Sequence, residues 1–350
     1  MPSDACHLFF LVLFSLIGFL FVHLSAETIK YQAVKYILLP EPETIHQLPF
    51  YFAVEEYVAR HYTDDEYFVG WCVNPTVMLG RNQLIDNEVN AGYCKLHEID
   101  IFRRKSGGGC IYADEGCIQF SYISRTSNAN EAFACYMQRM ARMLQGLGID
   151  ARLSGRNDIL IDNAKVSGCA FYQLPGRSVL HNSLLFDTRL DHLSNALTPA
   201  KEKLQSKGVE SVKQRVMNLA AYTHLGISAF MDYVRREMCG AEVLQLTDED
   251  MKGVAELEKE LASYSFVYGK NPKYTVVRKH RFEGVGTLEM HLELKNNIIG
   301  NINMVGDYFL LGDIDHDFLA LLKGCAFTRE AVGETLQDVD LSAIVRGLQL

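Results

Sequence analysis

The spacing of apolar and polar positions changes period several times along this chain, and each change marks an element. Residues 34–39 are a β-branched and aliphatic run stopped by Pro40, which predicts a strand. Residues 48–61 carry Pro49 in the first turn and an apolar face of Phe52, Val54, Tyr57 and Val58, which predicts a helix. Residues 67–73 and 76–79 predict a strand pair split by Asn74-Pro75. Residues 100–104 lead into a glycine cluster, and 119–123 predict another strand. Asn128, with Glu131 three residues on, opens a helix. Phe133, Met137, Met140, Leu144 and Leu147 repeat along it at four-three spacing, and Gly148 ends it. Residues 159–161 and 165–167 flank Asp162-Asn163, the pattern of a hairpin, and 179–187 predict one more strand.

Strands and helices mix here without regular βαβ alternation, so the expected class is α+β, with a large catalytic-type unit and a smaller second one. The second unit begins with an acidic helical stretch at 248–261. Three runs follow, 274–282, 287–294 and 298–305, that predict an antiparallel meander. The expected division is 1–33, 34–245 and 246–350, with the boundary falling between 240 and 262. The first thirty-three residues stand apart. Their apolar run, Leu8 to Val22, is short for a spanning helix, and no Lys or Arg precedes it as in a signal peptide. It reads as a signal, an anchor or a non-native extension, and membrane contact is expected only if it is real.

Composition changes the picture in two respects. The net charge of −9 argues against a general nucleic-acid binder, while leaving local basic clusters free to hold a small anion. Nine cysteines, with no CxxC pair, argue against a disulfide framework or zinc site and for reduced thiols in a cytoplasmic protein. At 48% hydrophobic and 22% charged, the 350 residues have globular composition.

Four segments carry candidate chemistry. The first runs Arg103, Arg104, Lys105, Ser106, Gly107, Gly108, Gly109, Cys110, Ile111, Tyr112. Three adjacent glycines allow close backbone approach, their amides can cradle a phosphate, and the basic residues add positive charge. In isolation it is equally a flexible turn with solvated flanks. The second spans 155–168 and holds Asn157, Asp158 and Lys165. A lysine on a hairpin is a point charge able to attract a carboxylate and a phosphate together, and Asp158 is a candidate ligand for Mg²⁺. On spacing alone, a solvated strand-edge lysine and an Asx-turn aspartate fit better. The third is His181-Asn182-Ser183-Leu184, where a lone histidine is more often structural. The fourth is the basic, glycine-bearing stretch 207–219, which fits a mobile loop over an anion or a plain connector.

Together and in order, these segments resemble the lipoate–protein ligase family. RRKSGGGCIYADEGCIQFS at 103–121 resembles its RRxSGGGxVYHDxGNxxFS block, and 155–168 its GRNDxxxxxxKxSG block, with Lys165 at the lysine position. Residues 180–199 resemble its strand and following turn, 207–219 its KGxxSVxxRVxNL loop, and Gly80 to Gln83 its GRxQ turn. Residues 266–309 look like its accessory domain. The resemblance implies a biotin/lipoyl ligase fold and a ligase reaction. Lipoate is joined to the α-phosphate of ATP to give lipoyl-AMP. The acyl group then passes to a lysine of a lipoyl domain, in a 2-oxoacid dehydrogenase E2 subunit or the glycine cleavage H protein. It also implies a nucleotide site built from Arg104, Ser106, Gly107, Gly108, Gly109, Cys110, Ile111, Tyr112, Asn157, Asp158, Lys165 and His181, with Lys165 central to catalysis and ATP and Mg²⁺ as cofactors. Val77, Leu79 and Phe120 are candidate walls for the acyl chain, or core residues.

Cys110, Ala113, Cys117, Asn182 and Ser183 depart from the family pattern. There are two rival readings, the first on the same fold. An octanoyl or lipoyl transferase would work through a cysteine thioester, with Cys169 as the candidate, and would release no pyrophosphate from ATP. A lipoate- or biotin-binding regulator would form no adenylate.

Overall fold

The computed structural model describes residues 34–154, 157–197, 216–268, 276–282, 286–306 and 314–339. The apolar segment 1–33, Gly155 and Arg156, the basic stretch up to residue 215 and residues 307–309 lie outside them.

An eight-stranded mixed sheet is the frame. Its strands are β1 (Val34–Leu38), β2 (Glu66–Trp71), β6 (Cys117–Ser124), β7 (Arg152–Leu153), β8 (Asp158–Ile161), β9 (Ala164–Leu174), β10 (Arg177–Leu185) and β11 (Val243–Gln245). They lie in the order β11-β1-β2-β6-β10-β9-β8-β7. β1 runs parallel to both of its neighbours, and every other pair is antiparallel. Three further strands, β3 (Thr76–Leu79), β4 (Asp100–Arg103) and β5 (Ile111–Ala113), form a small sheet in the order β4-β3-β5. The runs at 67–73 and 76–79 are therefore not partners. β2 joins the large sheet and β3 the small one, because the bend at Asn74-Pro75 turns the chain out of plane instead of folding it back.

Two cores lie on the two faces of the large sheet. On one face, helix α1 (Leu48–His61) and the small sheet bury Phe52, Val58, Trp71, Val77 and Leu79. On the other, α2 (Ala129–Gly146) and α4 (Ile227–Met238) bury Met137, Met140, Leu144, Phe230 and Val234 against Phe68, Phe120 and Leu180. α2 begins as its sequence predicts, with the Asn128 side chain accepting from the Glu131 amide, and Gly148 follows its end at φ +77°. Between the last strands comes the short helix α3 (Leu190–Ala196).

The acidic helix α5 (Asp248–Ala262) lies against α1, with Val254 and Leu261 inside the first core. Gly253 makes the contact close: a Cβ there would come within 2.3 Å of the Tyr57 ring. A separate third core belongs to the meander β12 (Val276–Phe282), β13 (Gly286–Lys295) and β14 (Ile298–Gly306), which matches the predicted strands. Leu288, Leu292, Ile302, Ile314 and Leu322 form that core. The meander touches the larger unit at the turn after β3. Arg81 pairs with Asp315 at 2.8 Å, and the Gly306 amide donates to the Asn82 carbonyl. Among the described residues no helix is long and apolar enough to cross a membrane.

Candidate active site

The hairpin β8–β9 turns at Asp162 and Asn163, both at positive φ (49° and 64°), as a two-residue turn requires. One irregularity follows. Ile159 faces Ser167, but Leu160 faces Lys165, so Val166 is an extra residue on β9. In a regular strand residues three apart point to opposite faces. The bulge cancels that. Val166 and Ser167 are both buried, and Lys165 lies over Gly168, where a Cβ would come within 2.7 Å of the lysine Nζ. Nζ sits 2.7 Å from Asp158 Oδ1, at an angle that makes an ion pair and not a hydrogen bond.

The triple-glycine segment joins β4 to β5 as a bend, with Gly108 at φ +85°. It is braced from behind. Gly80, in the turn after β3, comes so close that a Cβ on it would lie 2.1 Å from the Gly108 carbonyl oxygen. The Arg81 amide donates to the Ser106 carbonyl at 2.9 Å. Arg104, 4% exposed, donates through Nη2 to the carbonyls of Gly107 and Gly109, both at 2.7 Å, and through Nε to Ser106 Oγ at 2.9 Å. In a trans peptide the carbonyl and the next amide point opposite ways, so Arg104 turns the N–H groups of Gly108 and Cys110 away from itself.

The three cations of this segment thus do not form a positive patch. Arg103 is buried and donates to the carbonyls of Gly80, Arg81, Gln83 and Val267, and burial lowers its pKa to about 10. Lys105 pairs with the buried Glu56 at 2.6 Å, which Arg60 also contacts. Backbone carbonyls and a buried carboxylate take up these charges.

The bend and the hairpin meet at a cavity of about 240 Å³. Of the residues expected at the site, Arg104, Gly108, Gly109, Cys110, Ile111, Tyr112, Asn157, Lys165 and His181 line it. Ser106, Gly107 and Asp158 do not: Ser106 is fully buried behind the bend, 2.6 Å from His181 Nε2, and Asp158 reaches the cavity only through Lys165. Val77, Leu79 and Phe120 are core residues, each at 1% exposure or less. Strand alternation explains the exchange. The neighbours Met78 and Gln119 line the cavity instead. Phe52, Trp71, Leu193, Leu197 and Val216 supply its apolar wall. Sequence reading missed these, and it missed Gly168, since only the folded chain brings residues 52, 71 and 193 to the hairpin. Val216, at the end of the basic stretch, bridges Lys165, and the Met217 amide donates to the Lys165 carbonyl.

This pairing of an amide-lined glycine bend with a lysine on a neighbouring hairpin, beside an apolar slot, can be set against known proteins. A family model described as the lipoyl protein ligase A/B catalytic domain matches residues 48–239, and one described as the bacterial lipoate protein ligase C-terminus matches 271–350. Lipoate–protein ligase 1 of Staphylococcus aureus is 35% identical over 297 residues, 83% of this chain and 90% of the relative. The chain belongs to the lipoate–protein ligase family. The family is one of enzymes, and the solved structures agree on the fold. LipL1 of P. falciparum, crystallised with lipoate, superposes with a TM-score of 0.69 at 17% identity, covering 89% of this chain and 97% of its own. A lipoate–protein ligase A bound with ATP gives 0.60 at 22% identity, covering 68% and 99%.

In this chain Cys169, four residues from Lys165, is 2% exposed, and its thiol donates to the Ala170 carbonyl. Burial pushes the thiol far above the range where a thiolate forms at neutral pH, which a cysteine nucleophile needs.

Proposed function

We propose that this chain activates lipoate with ATP and passes the lipoyl group to a lysine of an apo lipoyl domain. Lys165 and the glycine bend lining one cavity with an apolar wall is the observation that carries this reading. A lipoate oxygen attacks the α-phosphorus of ATP, the bond to the β,γ-phosphates breaks, and pyrophosphate leaves. The deprotonated ε-amine of the acceptor lysine then attacks the lipoyl carbonyl, an amide forms, and AMP departs. Lipoyl domains of 2-oxoacid dehydrogenase E2 subunits and the glycine cleavage H protein are the acceptors.

A carboxylate approaching a polyphosphate meets like charge, and Lys165 offsets it at both groups. The amides of Gly108 and Cys110, turned away from Arg104, are placed to receive phosphate oxygens, with Ile111, Tyr112 and Asn157 completing the nucleotide side. Arg104 acts through the bend it braces. The aliphatic tail and dithiolane lie against Trp71, Phe52 and Leu193. Mg²⁺ is commonly held by one or two carboxylates together with substrate phosphates, and Asp158, outside the cavity lining and paired with Lys165, is the carboxylate that would hold it once the lysine engages substrate. When bound there the ion would neutralise phosphate charge. Holding both substrates in one cavity adds proximity, on the order of 7–11 kcal/mol in the best cases.

The test uses radiolabelled lipoate, ATP and an apo lipoyl domain. Wild-type protein is expected to release pyrophosphate and label the domain. Lys165→Ala is expected to lower adenylate formation at least about a hundredfold with an unchanged circular dichroism spectrum. Near-normal turnover in that variant would remove Lys165 from its role.

A further inference from the structure

Beneath the glycine bend lies a polar chain that ends on a carboxylate the reaction above does not use. Glu55, on α1, is 1% exposed. Its Oε1 lies 3.3 Å from His181 Nδ1. The imidazole is held between the Phe52 and Tyr172 rings, 5.5 and 6.2 Å away between centroids. Its Nε2 lies 2.6 Å from Ser106 Oγ, and Ser106 Oγ receives Arg104 Nε at 2.9 Å. The order serine, histidine, carboxylate is also that of a hydrolase triad. Here the serine is fully buried and already receives a guanidinium, so no carbonyl substrate can reach it.

We infer that Glu55 is a positioning residue for the nucleotide-binding bend, acting through His181 and Ser106. This rests on the ligase reading above. An ionised Glu55 can only accept, so it selects the imidazole with its proton on Nδ1. Nε2 must then accept, and the Ser106 hydroxyl donates to it. The remaining lone pairs of Ser106 Oγ face Arg104 Nε–H. Every donor in the chain meets an acceptor, and the guanidinium is left in the one orientation that gathers the carbonyls of Gly107 and Gly109. A proton on Nε2 would instead spend both lone pairs of Ser106 Oγ on His181 and Arg104 and take from the hydroxyl hydrogen the acceptor it has in this chain. The set of the Gly108 and Cys110 amides therefore depends on a carboxylate that touches no substrate.

The experiment combines ¹⁵N NMR of the histidine rings with calorimetric titration of ATP in the absence of lipoate, on the full chain. The His181 resonance is assigned with His181→Gln. Wild-type protein is expected to show His181 protonated on Nδ1 and bare on Nε2. In Glu55→Gln the tautomers mix and ATP binds about tenfold more weakly. In Ser106→Ala the tautomer stays while ATP binding weakens to a similar degree, and the double variant binds no worse than Ser106→Ala alone. A proton on Nε2 in the wild type, in the neutral or the charged ring, overturns the inference, as does unchanged ATP affinity in Glu55→Gln. Should Glu55→Gln fail to fold, the wild-type and Ser106→Ala spectra still decide. Wild-type protein that holds the tautomer but binds no ATP would overturn the ligase reading instead.

Discussion

Lys165 owes its placement to a neighbour with no side chain. The bulge at Val166 brings positions 165 and 168 to one face of β9, and the lysine then lies over the bare Cα of Gly168. A methyl group at 168 would meet Nζ at 2.7 Å and Cε at 2.9 Å. Both atoms belong to the free end of a flexible chain, so the lysine yields and the strand does not. Gly168→Ala is therefore predicted to keep the thermal midpoint within a few degrees, about what a ΔΔG under 1 kcal/mol gives a chain of this size. Adenylate formation is predicted to drop at least about tenfold, because a misplaced charge loses most of its effect on the transition state. Equal loss of stability and activity would show that the glycine serves the strand. Gly168 is visible in its motif, but its use depends on a bulge that strand periodicity does not reveal.

At the scale of elements, the helix that follows the large sheet is tied down by one carboxylate. Thr247 and Asp250 form a reciprocal capping box at the start of α5. Asp250 also receives the hydroxyls of Tyr57 at 3.0 Å and Tyr62 at 2.8 Å, at the end of α1. Burial pushes the Asp250 carboxyl up, but bonds from Thr247 and the two tyrosines outweigh it and hold the pKa at about 2. A depressed value means stability that is complete above the ordinary carboxylate range and is lost as pH falls through the folded value. Urea unfolding is thus predicted to show Asp250→Asn less stable by about 1–2 kcal/mol at neutral pH. The gap should close between pH 4 and about 2. A difference that does not depend on pH would mean the charge is idle. The acidic composition of 248–261 pointed to a helix, while its partner, α1, lies nearly two hundred residues earlier. α4 was open to the same reading, since Ile227, Phe230, Val234 and Met238 keep helical spacing, and that pattern went unused.

At the scale of the molecule, the described residues from Val34 onward supply three cores and the cavity. A chain starting at Val34 is predicted to be soluble and to form adenylate at the full-length rate. An insoluble product would show that the first segment takes part in the fold. Two units share this body, and they meet at the turn that supports the bend. Gly80 backs Gly108, while the adjoining Arg81 and Asn82 contact Asp315 and Gly306.

Where the physics is local, the amino-acid order was sufficient. Asp162-Asn163 could make only a tight hairpin, Asn128 and Gly148 bounded a helix, three adjacent glycines marked a bend, and the meander followed from alternation. The motif pair at 103–112 and 155–168 suggested chemistry only through its joint order, which resembles a family, because each segment alone also suits a solvated turn. Tertiary structure alone decided which strands pair, which of two adjacent residues faces the cavity, and where each cation spends its charge. β2 and β3 went to different sheets, Met78 and Gln119 replaced Val77, Leu79 and Phe120 at the wall, and Arg103 and Lys105 turned to buried partners. Those outcomes depend on contacts between segments far apart in the chain. Burial and charge compensation are settled there by which surfaces meet, and no local spacing records that.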